Sequence, residues 1–178
     1  MRSSMQAIYQ QAKAIKLVIF DVDGVLTDGR LFIGDDGQEY KAFHSRDGLG
    51  MTMLQRTGVT IGIITARQSN VVKVRMESLN INHLYQGQQQ KRPAYEQMLQ
   101  QLQLTPTQVA YVGDDLIDLP IMTRVGLSVA VADAHPLVKQ QAHWITPNPG
   151  GAGAARDLCE LIMHAQGQFS ALIDDYLA

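Results

Sequence analysis

The chain has 178 residues, 46% of them hydrophobic, and a formal net charge of -2. That length supports one domain over 1–178 with a real core, and the near-neutral charge offers no basic face for nucleic acid and no acidic tail. The Gln-rich start lacks the apolar segment of a leader, no later run reaches membrane-spanning length, and the single cysteine, Cys159, forbids an internal disulfide; a cytoplasmic protein without membrane contact is expected.

A polar helix opens the chain, followed by a predicted strand at 17–22. Leu17 to Phe20 suits a buried strand, and because an isolated carboxylate is costly to bury, Asp21 and Asp23 are expected to emerge where that strand stops. Residues i and i+2 of an extended segment point the same way, so both carboxylates can face one small volume. The segment at about 30–43 carries Leu31, Phe32 and Ile33, then the turn Gly34-Asp-Asp-Gly37, then Gln38 to Phe43, and predicts a β-hairpin. A lone two-stranded ribbon cannot bury Leu31, Phe32, Ile33, Tyr40 and Phe43, so contact with another subunit is expected.

Helical patterns at about 48–57, 69–79, 93–104 and 117–125 then alternate with apolar strands at 59–65, 109–112, 127–131 and, shorter, 143–146. The alternation predicts an α/β fold, a Rossmann-like parallel sheet with helices on both faces and a small hairpin extension after the first core strand. Neither the interval 27–48 nor 91–114 can hold a cap domain, so the site of an isolated subunit is expected to be open. The tail, about 147–178, starts Pro-Asn-Pro-Gly-Gly-Ala-Gly and continues with a helical pattern at Leu158, Leu161, Ile162 and Ala165; its last ten residues read as weakly specified.

Three strands end in polar signals: Asp21-Val-Asp-Gly24, Thr65-Ala-Arg67 and Gly113-Asp-Asp115. Ligand crevices of parallel sheets lie at the carboxyl ends of the strands, so these signals converge. A carboxylate that attacks phosphorus forms an aspartyl-phosphate that water can hydrolyse. Bringing an anionic phosphate to Asp21 requires a divalent cation on oxygen ligands, and a lysine. Asp114 and Asp115 can supply ligands, with Gly113 turning the backbone, and Lys91 can supply the charge. Thr65 offers a hydroxyl and a free backbone N–H to a phosphate oxygen. Asp23 would protonate the leaving alkoxide and then deprotonate the attacking water. Singly these are weak signals, since Asp and Gly stabilise turns locally; in this order they point to phosphoryl transfer. The histidines lack zinc-site spacing, and Cys159 reads as a packed thiol.

Asp21-Val-Asp-Gly-Val-Leu-Thr27, Thr65, Lys91 and Gly113-Asp-Asp-Leu-Ile-Asp118 resemble the four motifs of the haloacid dehalogenase superfamily of phosphatases. The segments 41–50, 83–87, 109–118 and 125–136 resemble its capless, tetrameric members acting on phosphorylated keto-deoxy sugar acids of bacterial lipopolysaccharide biosynthesis. The resemblance implies a Mg²⁺ cofactor and a homotetramer with a neighbour's hairpin near the site. It implies Asp21 as nucleophile and metal ligand, Asp23 as acid/base and carbonyl ligand, Asp114 as metal ligand, and Asp115 and Asp118 as their supports. His44 stands where Asn is usual, Ala66 replaces the usual Gly, and the final residues diverge.

The implied substrate is an eight-carbon sugar acid 8-phosphate. A nine-carbon 9-phosphate is the alternative, and a non-catalytic oligomerisation domain a third reading. Arg67 and Arg75 are candidates for the substrate carboxylate. Arg75 falls inside the apolar arc of Val71, Val72, Met76 and Leu79, either as a snorkelling chain or as a contact to an anion or subunit. Further sugar contacts are expected from His44, Ser45, Arg46, Asp47 and Gly48, with Asp23 and Lys91. Arg156 either reaches a site from the tail or lies on the surface.

Overall fold

The computed structural model describes residues 4–178. In chain order it runs α1 (Met5–Lys13), β1 (Leu17–Phe20), the hairpin strands β2 (Phe32–Ile33) and β3 (Glu39–Tyr40), α2 (Ser45–Arg56), β4 (Thr60–Ile64), α3 (Asn70–Ser78) and β5 (His83–Tyr85). There follow α4 (Lys91–Leu102), β6 (Val109–Gly113), α5 (Leu119–Met122), β7 (Leu127–Ala130), α6 (Pro136–Gln141), β8 (Trp144–Ile145), α7 (Ala154–Ala165) and α8 (Phe169–Leu177).

All pairings in the six-stranded sheet are parallel, in the order β5-β4-β1-β6-β7-β8. The four residues of β1 are buried, which is why this strand carries no polar residue until it ends. Phe20 pairs with Ile63 on one side and Val112 on the other, so the carboxyl ends of β1, β4 and β6 stand level. Two groups of helices cover the sheet: α1, α2 and α7 pack together, and α4, α5 and α6 form the other group, with α2 and α4 both packing on β4. A continuous buried cluster extends from Ile8 to Leu172.

The hairpin has the expected place but only two residues per strand, with Phe32 opposite Tyr40 and Ile33 opposite Glu39. Leu31, Phe32, Ile33 and Tyr40 are 46–61% exposed. Phe43 departs from that group: it packs against the core, with the Arg75 guanidinium 5.8 Å above its ring. Between β1 and α2 the chain forms only a tight turn and this hairpin, so the described residues contain no cap domain there.

Four elements differ from expectation. The edge strand β5 was not anticipated, because its three half-buried residues give no periodic signal. The predicted helix at 117–125 is a 3-10 turn over Leu116–Asp118 followed by one turn of helix, since Asp118 is drawn inward. Between β7 and β8, where no helix is expected from the sequence, lies α6, capped by His135 Nδ1 accepting from Leu137 N at 3.2 Å. The last residues are helical: α8 buries Leu172 and forms an Arg56–Asp175 ion pair. Ahead of α7, Gly151 N donates to Val25 O at 2.9 Å and Gly150 N to Asp133 Oδ1 at 2.9 Å, so the tail loop braces the turn that follows β1.

Candidate active site

Beyond β1 the chain folds back on itself. Leu26 N and Thr27 N both donate to Val22 O, at 2.9 and 3.1 Å, and Thr27 Oγ1 accepts from Gly24 N at 3.3 Å and Gly29 N at 3.2 Å. Gly24 has φ +88°, and a Cβ there would lie 2.0 Å from Asp114 Oδ2. Only glycine lets this turn pass so close to the neighbouring strand end.

Under that turn lies a buried charge network. Lys91, the first residue of α4, places Nζ 2.8 Å from Asp21 Oδ1 and 2.7 Å from Asp118 Oδ1, and the Lys91 and Asp118 side chains are 0% exposed. Tyr111 Oη donates to Asp118 Oδ1 at 2.6 Å. The other oxygen, Asp118 Oδ2, accepts from Asp114 N at 3.0 Å and Asp115 N at 3.2 Å. Gly113 makes this possible by leaving room rather than by turning the backbone: a Cβ there would meet the Asp118 side chain at 2.5 Å. Asp118 thus fixes both the lysine and the backbone that carries Asp114.

Oxygens of Asp21, Asp114 and Asp118 lie within 4.8 Å of one another. Three carboxylates here face one ammonium. Burial, then the Asp118 charge, pushes Asp21 from 3.8 up to about 7, Lys91 opposing. Burial, then the charges of Asp118, Asp21 and Asp115, pushes Asp114 from 3.8 up to about 8. Burial acts to lower Lys91, and the two aspartates outweigh it, leaving its pKa raised. The Asp114 carboxylate has no hydrogen-bond donor among the described residues. A pair of crowded, donor-poor carboxylate oxygens fits a hard divalent cation. Asp118 does not, because both its oxygens are already engaged.

The cleft above is lined by Asp21, Asp23, Thr65, Ala66, Arg67, Asp114, Asp115 and Ile117 and has a volume of about 160 Å³. Thr65 is buried at its wall, but its backbone N–H donates to Tyr85 O at 3.0 Å and is not free as expected. The N–H of Ala66, next in the chain, has no backbone acceptor among the described residues.

The profile of haloacid dehalogenase-like hydrolases matches residues 54–158. The chain belongs to that family. The chain is 51% identical over 159 residues to the 3-deoxy-D-manno-octulosonate 8-phosphate phosphatase of Yersinia pestis, covering 89% of this chain and 85% of that protein. Among solved structures it resembles a probable YrbI family phosphatase from Pseudomonas syringae, with TM-score 0.96, 51% identity, and coverage of 97% and 98%. It also resembles the octulosonate 8-phosphate phosphatase of Moraxella catarrhalis in complex with magnesium, phosphate and the sugar acid KDO, with TM-score 0.95, 40% identity, and coverage of 97% and 99%.

Around this haloacid dehalogenase-like centre the other candidates fall into separate places. Asp115 is exposed and accepts from Leu116 N at 2.8 Å, capping the 3-10 turn. His44 caps α2, its Nδ1 accepting from Arg46 N at 3.2 Å, while Ser45 and Arg46 are exposed. Gly48 lies against Arg75, where a Cβ would meet Nη2 at 2.4 Å, and Arg75 Nε is buried without a partner. Asp47 does not serve the cleft as expected. It is 2% exposed and accepts from Arg156 N at 2.9 Å and Gly153 N at 3.4 Å, capping α7, and burial raises its pKa. Arg156 is accordingly tied to the α2–α7 contact, pairing with Glu160.

Sequence reasoning missed Tyr111 and Lys41. Tyr111 sits inside an apolar strand, where nothing distinguishes it from a core aromatic. Lys41 is paired with Asp23, and no spacing rule joins positions 18 residues apart.

Proposed function

We propose that this chain is a Mg²⁺-dependent phosphomonoesterase that hydrolyses 3-deoxy-D-manno-octulosonate 8-phosphate to the free sugar acid and phosphate in lipopolysaccharide biosynthesis. The observation that carries this reading is the meeting of Asp21, Thr65, Lys91 and Asp114 at three level strand ends, with more buried negative charge than one lysine balances. The identities near one half to octulosonate phosphatases support the substrate.

Asp21 attacks phosphorus, the bond from phosphorus to the sugar oxygen breaks, and Asp23 gives that oxygen a proton. Water then attacks the aspartyl-phosphate, Asp23 takes its proton, and the Asp21 carboxylate is regenerated. Lys91, the Thr65 hydroxyl and the Ala66 N–H would hold the phosphoryl oxygens. Asp21, Asp114 and the Asp23 carbonyl would hold Mg²⁺, which supplies charge neutralisation for the approaching phosphate. Asp118 orients Lys91 and Asp114 from beneath. Arg67 and Arg75 are the cations for the substrate carboxylate, with His44, Ser45, Arg46 and Gly48 beside them.

A cleft of about 160 Å³ accommodates a phosphoryl group but not an eight-carbon acid, since ligand pockets commonly run to about 300 Å³ or more. The exposed hairpin supports a homotetramer in which a neighbour completes the site. Among the described residues no helix is long and apolar enough to cross a membrane; with Cys159 unpaired this suits the cytoplasm, where we place the reaction.

Phosphate release from the eight-carbon 8-phosphate and the nine-carbon 9-phosphate, each with Mg²⁺ and with chelator, tests the reading. Preferred, metal-dependent turnover of the first is expected, and inactivity on both would overturn it. Light scattering tests the tetramer, which a monomer at micromolar concentration would refute.

A further inference from the structure

The hairpin is tied to the cleft by charge. Lys41, the residue after β3, has a side chain only 1% exposed, and its Nζ lies 2.5 Å from Asp23 Oδ1 and 3.2 Å from Glu39 Oε1. Glu39 Oε1 also accepts from Arg67 Nη2 at 2.9 Å, and Arg67 Nε stands 4.0 Å from Asp23 Oδ2. Asp23, Lys41, Glu39 and Arg67 therefore form a ring of alternating sign joining the β1 turn, the hairpin and the end of β4. Among the described residues Lys41 is the only hydrogen-bond donor to the Asp23 carboxylate. The turn hydrogen bonds fix the Asp23 backbone but not its side-chain torsions, which are otherwise free to change rotamer. A lysine withdrawn from water is stable only while its carboxylate partners stay in place, so the link is stiff.

We propose that Lys41 is a positioning residue for Asp23, holding Oδ1 so that Oδ2 is presented to the reacting oxygen. The proposal rests on the phosphatase reading above. Oδ1 can accept from Lys41 whether or not Oδ2 carries the proton, so one placement serves both half-reactions. In the first, Oδ2–H passes its proton to the departing sugar oxygen as the bond to phosphorus breaks. In the second, Oδ2 takes the proton of the attacking water.

A strut that merely stabilises the hairpin would slow all substrates alike, whereas a residue that positions the acid matters in proportion to how badly the leaving oxygen needs a proton. The test compares Lys41→Met with the parent, using the whole protein with Mg²⁺ and two esters: the sugar acid 8-phosphate, whose alkoxide leaves poorly, and p-nitrophenyl phosphate, whose phenolate leaves unaided. The expected result is a kcat/KM, which reads only up to departure of the leaving group and not the hydrolysis both esters share, lower by about 10²-fold or more on the sugar ester and changed by less than about threefold on the nitrophenyl ester. Equal loss of kcat/KM on both esters, or no loss on the sugar ester, would overturn the proposal. A parent active on both esters isolates Lys41; a parent inactive on both overturns the phosphatase reading and this proposal with it. If Lys41→Met does not fold, Glu39→Gln breaks the same ring while keeping side-chain shape. It should show the same selective loss at about 3- to 10-fold, and an unselective loss refutes the role.

Discussion

Asp118→Asn separates the two tasks of the buried network with one nearly isosteric change. The carboxylate accepts from Lys91, Tyr111 and the N–H groups of Asp114 and Asp115, two donors on each oxygen. An asparagine has one accepting oxygen, so on one side its NH₂ group meets donors head-on, and Lys91 loses one of its two counter-charges. Breaking a buried pair by removing one partner costs about 3–5 kcal/mol, which corresponds to a Tm lower by roughly 6–20 °C for a chain of this size. The same change moves the metal site the other way. The Asp118 charge is the second cause, after burial, holding Asp21 and Asp114 high, so its removal lets both ionise at lower pH. Calorimetric titration of Mg²⁺ across pH 5–9 should therefore place the half-point of binding at lower pH in the variant, even as the protein melts earlier. A parent-like Tm, or a half-point shifted to higher pH, would refute the roles given to this carboxylate.

Further outcomes follow from the same geometry. Asp21 and Asp114 have folded-state values of about 7 and about 8 against an ordinary 3.8, so the unfolded chain releases their protons first. Stability from these groups is complete below about pH 4 and is lost as pH rises through about 7 to 8; thermal melts of metal-free protein should show that decline, and Mg²⁺ should reverse it most strongly at the alkaline end. Gly24→Ala forces a side chain into positive φ and against Asp114, and should cost about 1–3 kcal/mol in chemical denaturation while weakening Mg²⁺ binding. Arg75→Met should raise KM for the sugar acid phosphate by about 10- to 100-fold with kcat nearly kept, the value of a charge-assisted hydrogen bond, and should leave KM unchanged for an ester lacking the carboxylate.

The first strand and its acid pair were legible because the signal is local: Leu17 to Phe20 are all buried in a central strand with the carboxylates directly after it, although Asp21 does not emerge as expected but stays buried, its charge paired with Lys91. The parallel sheet was legible for the same reason, in runs without alternation. What escaped depends on contacts across the fold. The unseen edge strand β5 explains the mistaken free N–H of Thr65, since its partner is Tyr85 on that strand. Asp47, beside Arg46 and Gly48, reads locally as a sugar ligand, yet its partners at Gly153 and Arg156 lie more than 100 residues away. Asp118 was recognised as a support, but the four-donor cage that gives it that role needs Tyr111, whose hydroxyl no pattern in the strand reveals. The helix α8 is short and amphipathic and gains its fixed place from Leu172 and the pair with Arg56.

Phosphate release by the parent and by Asp21→Asn, measured side by side on the octulosonate 8-phosphate with Mg²⁺, bears most directly on how the site works. Loss of at least about 10³-fold in kcat, with the variant still folded and binding Mg²⁺ more weakly, is the expected result. Turnover near the parent rate in Asp21→Asn would mean that some other group attacks phosphorus, and the level strand ends would need a different chemistry.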